Sequence, residues 1–115
     1  MIDRAMIKML RRAMIPLVGA AFIAAPAPAF AAGKTYTITM KAMKYGPVPM
    51  TLHVGDTILW VNEDFFRHTA TAADKSFNVD LEPNKRAKTV LKKAGKIHFT
   101  CRFHPGMTGN LIVAK

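Results

Sequence analysis

The sequence predicts an all-β fold, a small Greek-key β-sandwich, preceded by a helical signal peptide. Three observations support this fold class. Short segments in which apolar and polar residues alternate recur at regular spacing, turn residues separate them, and helical periodicity is nearly absent after residue 31. The chain has 115 residues, a length that suits one small domain and leaves no room for two.

Residues 1–31 have the layout of a secretory signal. Basic residues up to Arg12 precede an apolar run, and small residues follow it. We expect cleavage after Ala31 or Ala32, export to the periplasm and no stable membrane insertion afterwards. The alternative is a retained N-terminal anchor, but the apolar run is short for a span of about 20 residues. Residues 32–115 would then form the mature domain.

The charge of the chain is strongly basic. Four basic residues and one acidic residue in residues 1–31 account for +3 of the formal +10, so the remaining chain carries about +7. Such a charge favours acidic protein partners or an anionic surface. Nucleic acid is the other usual partner of a basic domain, but secretion argues against it. We therefore expect redox partner proteins that have acidic docking surfaces. We also expect the protein to be a monomer.

The first half of the mature chain contains three predicted strands. In Thr35–Met43, apolar residues alternate with threonine and lysine, which is the period of a half-buried strand. Gly46–Pro49 interrupts this pattern, and Met50–Val54 resumes it. A turn at Gly55–Asp56 then leads to Thr57–Asn62, a buried strand that contains the single tryptophan.

The second half contains four more predicted strands. His68–Ala72 is a short strand, and the polar, turn-rich segment Asp74–Lys85 follows it. Arg86–Leu91 and Ile97–Cys101 alternate again, with turn residues between them, and Leu111–Ala114 is the last strand. Seven short strands with turns between them are typical of a β-sandwich.

Cysteine and methionine need separate treatment. Cys101 is the single cysteine, so an internal disulfide is impossible, and an unpaired thiol in an oxidising compartment favours a bound metal. The chain has eight methionines, and a methionine is usually a core residue. We assign Met40, Met43 and Met50 to the hydrophobic core.

The segment from Cys101 to Met107 carries the most chemical information. It places a thiolate, the imidazole of His104 and the thioether of Met107 within seven residues. Soft sulfur ligands together with imidazole select copper, and two histidines, one cysteine and a weak axial methionine form the blue-copper arrangement. The second histidine must come from elsewhere. His68 is well placed, at the start of a predicted strand just after a loop.

Three stretches of the mature chain resemble the cupredoxins, the group that includes plastocyanin, pseudoazurin and amicyanin. Val54–Asn62 is similar to an early stretch of the family, His68–Thr69 to its first ligand and the next residue, and Lys93–Cys101 to the strand that enters the ligand loop. The resemblance extends over nearly all of the mature domain. The spacing Cys-x2-His-x2-Met is most similar to the short loop of amicyanin.

This resemblance implies a ligand set and its surroundings. His68, Cys101 and His104 would be the strong ligands of one copper ion, and Met107 the axial ligand. Backbone N–H groups near Thr69 would donate to the cysteine sulfur.

The resemblance also implies a surface at which electrons leave. His104 would reach an apolar patch that Phe103 and the following residues form. Phe65 and Phe66 either extend this patch or fill the core. Arg67 departs from the family, in which proline commonly precedes the first histidine; it is either a solvated charge or a cation that raises the reduction potential.

The function that follows is a periplasmic one-electron carrier with a mononuclear type 1 copper site. The first alternative is a periplasmic copper carrier or chaperone without an electron-transfer role. An enzyme is not expected, because a second copper site would need further histidines and only His53 and His98 remain, both of which we expect to be exposed. A metal-free adhesion domain and a Cys-His nucleophilic enzyme are weaker alternatives. Asn62 either braces the loop before His68 or serves as a plain turn residue.

Overall fold

The computed structural model describes residues 33–115, together with Gly19. The predicted signal peptide and its cleavage site fall outside the described residues. Within residues 33–115, no helix has the length and apolar character that a membrane span requires.

Residues 33–115 contain nine strands and no helix, which confirms the predicted all-β fold. The turn predicted at Gly55–Asp56 lies one residue earlier, at Val54–Gly55. The strands are β1 (Thr35–Lys41), β2 (Lys44–Tyr45), β3 (Leu52–His53), β4 (Thr57–Asn62), β5 (His68–Ala72), β6 (Asn78–Leu81), β7 (Arg86–Val90), β8 (Gly95–Cys101) and β9 (His104–Ala114).

The strands form two sheets with a shared core. One sheet has the order β2-β1-β4-β7 and the other the order β3-β9-β8-β5-β6. The chain passes from one sheet to the other five times, before and after β3, between β4 and β5, and before and after β7, as in Greek-key sandwiches. Strand β5 pairs antiparallel with β8, and β8 pairs antiparallel with β9. The start of β5, the end of β8 and the start of β9 therefore meet at one end of the sandwich.

Alternating side chains from both sheets fill the core. Trp60 of β4 and Phe99 of β8 are fully buried, with ring centroids 5.3 Å apart in an edge-to-face arrangement. Tyr45 of β2 meets the same Phe99 ring at 4.7 Å. Edge-to-face pairs are a favoured geometry of aromatic rings, so these contacts fix how the two sheets sit on each other.

Two strand predictions were wrong in extent. The segment Asp74–Lys85 was predicted to be turn-rich throughout, but it contains β6, in which Val79 and Leu81 point inward and alternate with exposed residues. Strand β9 begins at His104 instead of Leu111, because Thr108–Val113 pair continuously with β8. Hydrogen bonds to a neighbouring strand extend both segments, and local sequence pattern does not report such pairing.

Two of the three methionines assigned to the core lie at the surface. Met40 is fully buried as predicted, but Met43 is 38% exposed and Met50 is 92% exposed. Met43 lies in the two-residue turn between β1 and β2. Strand β3 pairs only through Leu52 and His53, so Met50 lies outside the sheet and its predicted inward alternation is lost.

Candidate metal centre

The end of the sandwich at which β5, β8 and β9 meet brings three predicted ligands together. His68 is the first residue of β5, Cys101 the last of β8, and His104 the first of β9. A register irregularity lies between Thr100 and Cys101, where the tight β8–β9 connection begins. Because β5 and β8 are neighbours, a histidine 33 residues before the cysteine reaches the same pocket.

The three donor atoms are close to one another. The Sγ atom of Cys101 lies 3.8 Å from Nδ1 of His68 and 3.5 Å from Nδ1 of His104, and all three donor atoms fall within 4.8 Å of one another. His68 is fully buried and Cys101 is buried, whereas His104 is half-buried. Of the three ligands, His104 is therefore the one nearest the surface.

Met107 lies on β9, three residues after His104, and its side chain is buried. Burial agrees with a role beside the pocket and equally with a core role. The assignment of Met107 as axial ligand stays a prediction.

Thr69 connects the cysteine sulfur to the rest of the site. Its backbone N–H donates to Sγ of Cys101 over 3.3 Å, in agreement with the expected donor near Thr69. Its hydroxyl accepts from the N–H of Arg102 at 2.9 Å, and its carbonyl accepts from the hydroxyl of Tyr45 at 2.5 Å. Burial raises the pKa of Tyr45, and the negative charge of a thiolate at Cys101 raises it further, so this hydroxyl stays a donor. Sequence analysis gave no role to Tyr45.

Asn62 braces the loop that precedes His68. Its side chain is fully buried, and its Nδ2 donates to the carbonyls of Phe66 at 2.8 Å and Leu81 at 3.0 Å. Its Oδ1 accepts from the backbone N–H of Asp64 at 2.9 Å. Of the two roles considered for Asn62, the structure shows the bracing role.

Asp64 is a residue of the site that sequence analysis missed. Its Oδ2 lies 2.8 Å from Nε2 of His68, the ring nitrogen that faces away from Cys101. The hydrogen bond to His68 and the backbone N–H groups of Met43 and Phe65 hold the pKa of Asp64 below its ordinary value. The spacing of a carboxylate four residues before a histidine was visible in the sequence, but it does not by itself predict this contact.

Phe66 and Phe103 lie beside His104 at the opening of the pocket. Phe65 is 92% exposed, and Phe66 and Phe103 are also exposed, so Phe65 and Phe66 are surface residues and do not fill the core. The ring of Phe66 meets the ring of His104 edge-on, with centroids 6.3 Å apart. The guanidinium of Arg67 covers the ring of Phe103 at 4.9 Å.

Arg67 is not an isolated charge. It makes two hydrogen bonds to the carboxylate of Asp80, at 2.8 and 2.6 Å, and this pairing raises the pKa of Arg67 further. Because Asp80 offsets much of its charge, Arg67 contributes little net positive field at the pocket.

The remaining histidines lie apart from the pocket. His98 is exposed and pairs with Asn110 at 3.0 Å, and His53 is exposed beside Asp56. Both predictions of exposure are confirmed. In the described part of the chain, His68, Cys101 and His104 form the one group of three or more such side chains with metal-ligand spacing.

The pocket fits one copper ion. A thiolate and two imidazoles are the strong donors of a trigonal copper site. With bonds of about 2.3 Å to sulfur and about 2.0 Å to imidazole nitrogen, as zinc has, a trigonal metal separates the two donors by about 3.7 Å. The sulfur–nitrogen distances of 3.5 and 3.8 Å match this separation.

Comparison with known proteins agrees with this geometry. The purple cupredoxin from Nitrosopumilus maritimus is 26% identical, with a TM-score of 0.61, over 68% of this chain and 98% of that chain. A Cu(I) form of an amicyanin variant is 20% identical, with a TM-score of 0.63, over 70% of this chain and 82% of that chain, and it supports the fold alone. No curated protein matches the chain.

A larger enzyme contains a similar unit. The copper-containing nitrite reductase from Thermus scotoductus is 27% identical, with a TM-score of 0.63, over 81% of this chain but only 25% of its own length. The profile of the cupredoxin-like domain matches residues 13–113, which is most of the chain. With the sandwich, the converging donors and this profile, the chain belongs to the cupredoxin-like domain family.

Proposed function

We propose that this protein is a periplasmic one-electron carrier, in which His68, Cys101, His104 and Met107 hold a single copper ion. The observation that supports this proposal most is that the sulfur of Cys101 and one ring nitrogen each of His68 and His104 lie within 4.8 Å of one another. The basic, apolar and small-residue segments of residues 1–31 support export. Bound copper would supply a one-electron change between Cu(II) and Cu(I).

The residues around the donors suit electron transfer because they restrain them. Asn62 donates to the carbonyl of Phe66 and accepts from the N–H of Asp64, and a third bond ties this side chain to Leu81 of β6, so the loop before His68 is held against the sheet. The N–H of Thr69 is aimed at the sulfur, and the Thr69 hydroxyl holds the backbone just after Cys101. Ligands that are fixed by their neighbours move little when the charge of the site changes, and hydrogen bonds to the sulfur tune the potential.

The surface around His104 supports transient contact with a redox partner. Phe66 and Phe103 are exposed beside the half-buried ring, so a partner can approach the edge of the site over apolar side chains. The mature chain carries about +7, which would attract partners with acidic docking surfaces and speed their encounter. Arg102, whose guanidinium lies 5.9 Å from the ring of Phe103, is an exposed cation that could take part.

The proposal is tested by adding Cu(II) to the purified exported domain and recording its visible spectrum. We expect an intense thiolate-to-copper band at one equivalent, lost in Cys101→Ser and retained in His98→Ala, whose histidine lies away from the pocket. A wild-type protein without this band, or a band that survives in Cys101→Ser, would show that the proposal is wrong.

The copper-carrier alternative uses the same donors and needs a second measurement. Electron self-exchange between Cu(I) and Cu(II) forms, followed by NMR line broadening, should be fast for an electron carrier. Rapid transfer of the ion to an apo-acceptor, together with slow self-exchange, would favour the copper carrier. A catalytic role is not proposed, because His53 and His98 are separated from the pocket and paired with other side chains.

A further inference from the structure

We propose that Asp64 is a positioning residue of the copper centre, which fixes the ring of His68 and whose negative charge favours Cu(II) over Cu(I). This inference rests on the proposed function, because it takes His68 as a ligand. It predicts that Asp64 lowers the reduction potential of the site.

The geometry assigns different tasks to the two nitrogens of His68. Nδ1 faces Cys101 Sγ at 3.8 Å, whereas Nε2 lies 2.8 Å from Oδ2 of Asp64. A carboxylate can only accept, so its hydrogen bond places the ring proton on Nε2. The lone pair of a neutral imidazole is then on Nδ1, the nitrogen that faces the pocket.

Burial makes the charge of Asp64 effective at the site. The side chain of His68 is fully buried and that of Asp64 is 10% exposed, so little solvent lies between the carboxylate and the ring. Electrostatic interactions are stronger where water is excluded. A carboxylate in contact with a ligand ring also makes that ligand more basic, which stabilises the higher charge of Cu(II) more than that of Cu(I).

Asp64 is itself held in place from two sides. Its Oδ2 accepts from the backbone N–H of Met43 at 3.0 Å, and its own N–H donates to Asn62 at 2.9 Å. The carboxylate therefore joins the β1–β2 turn to the loop before β5. Because these contacts fix its position, Asp64 can hold the His68 ring at one angle in both oxidation states.

The matched variants are Asp64→Asn and Glu63→Gln. Both remove one negative charge from the same loop, but Glu63 is exposed and hydrogen-bonds through its side chain to none of the described residues. We expect Asp64→Asn to lower the ratio of Cu(II) to Cu(I) affinity about tenfold, within the range reported for partners of metal ligands. For a one-electron couple this is a rise of about 59 mV in reduction potential. Glu63→Gln should shift the potential by less than half as much.

Equal shifts in the two variants, or no shift in Asp64→Asn, would overturn the inference, because a charge acting through solvent gives equal shifts. If the wild type shows the thiolate-to-copper band but the two variants behave alike, the role of Asp64 is wrong and the proposed copper site stands. If the wild type lacks the band, both are wrong.

A measurement on the wild type decides the question should Asp64→Asn fail to fold. In the Cu(I) form, NMR of the histidine rings should show a proton on Nε2 of His68 that is shifted downfield and exchanges slowly with water. The corresponding proton of the half-buried His104 serves as the internal reference and should exchange faster. Absence of a slowly exchanging His68 proton would overturn the inference.

Discussion

Asn62 shows how one buried side chain can hold a functional loop. All of its side-chain hydrogen-bonding atoms are used: the amide donates to Phe66 and Leu81, and the oxygen accepts from Asp64. The loop from residue 63 to 67 lies outside the strands; its first N–H, from Glu63, donates to Met40 of β1, and the side chain of Asn62 satisfies backbone groups of Asp64 and Phe66. This amide, together with the N–H of Met43, sets the position of Asp64 and through it that of the His68 ring.

Replacing Asn62 with alanine should lower the free energy of unfolding of the apoprotein by about 3 kcal/mol, because three hydrogen bonds are lost and a buried carbonyl is left without its donor. Denaturant unfolding measures this change. Asn78→Ala is the control, since Asn78 is exposed and takes part in one side-chain bond, with Thr71. It should cost less than about 1 kcal/mol. Equal losses in the two variants would contradict the role of Asn62.

At the scale of an element, the β1–β2 turn is strained by its sequence. Ala42 and Met43 are the two turn residues, with φ angles of 52° and 61°. Both lie in the left-handed region, which costs an ordinary L residue about 1 kcal/mol or more. Asparagine followed by glycine is the preferred pair in such a hairpin turn.

The double change Ala42→Asn and Met43→Gly should therefore raise the free energy of unfolding by about 1 kcal/mol. The N–H of Met43 that donates to Asp64 belongs to the backbone and is kept. Thermal and denaturant unfolding measure the gain. Met50→Gly is the control, because Met50 is exposed and has no positive φ angle; it should give no gain. A double variant that is less stable than the wild type would show that the wild-type turn is not strained.

For the molecule as a whole, the buried carboxylate of Asp56 matters because it joins two segments that are distant in the sequence. Asp56 is buried, and it accepts from the backbone N–H groups of Lys34 at 2.9 Å and His53 at 2.8 Å, joining the chain before β1 to the end of β3. Burial alone would raise the pKa of Asp56, but these two N–H groups, with the nearby cations, outweigh it and leave the pKa below its ordinary value.

A pKa that is lower in the folded than in the unfolded state stabilises the fold above the unfolded value of about 3.9. This contribution disappears as the pH falls through the folded pKa, which lies lower still. Between pH 5 and pH 2, we expect the midpoint of thermal unfolding to fall less steeply in apo Asp56→Asn than in the wild type, because the asparagine does not titrate. Glu63→Gln, which changes an exposed carboxylate, should follow the wild type. Parallel curves for all three proteins would contradict this prediction.

Much of the fold could be predicted because strands carry local signals. The alternation in Thr35–Lys41 and Gly95–Cys101 is visible residue by residue and matches their burial. The alternation in β6 is also visible, but it covers only four residues inside a polar segment, and the early start of β9 has no alternating pattern. Their extent depends on partners elsewhere in the chain, and the same is true of Met50, whose exposure follows from the short pairing of β3.

The donor types and their short spacing after Cys101 can be read from the sequence alone, because ligands within one tight connection are necessarily neighbours. That His68 comes within reach of the sulfur, and that Asp64, Tyr45 and Asn62 support the ligands from behind, depends on the packing of the folded chain. These contacts join residues from different strands and loops. They depend on which strands pair and in what register, and both properties follow from how the two sheets bury their apolar faces together.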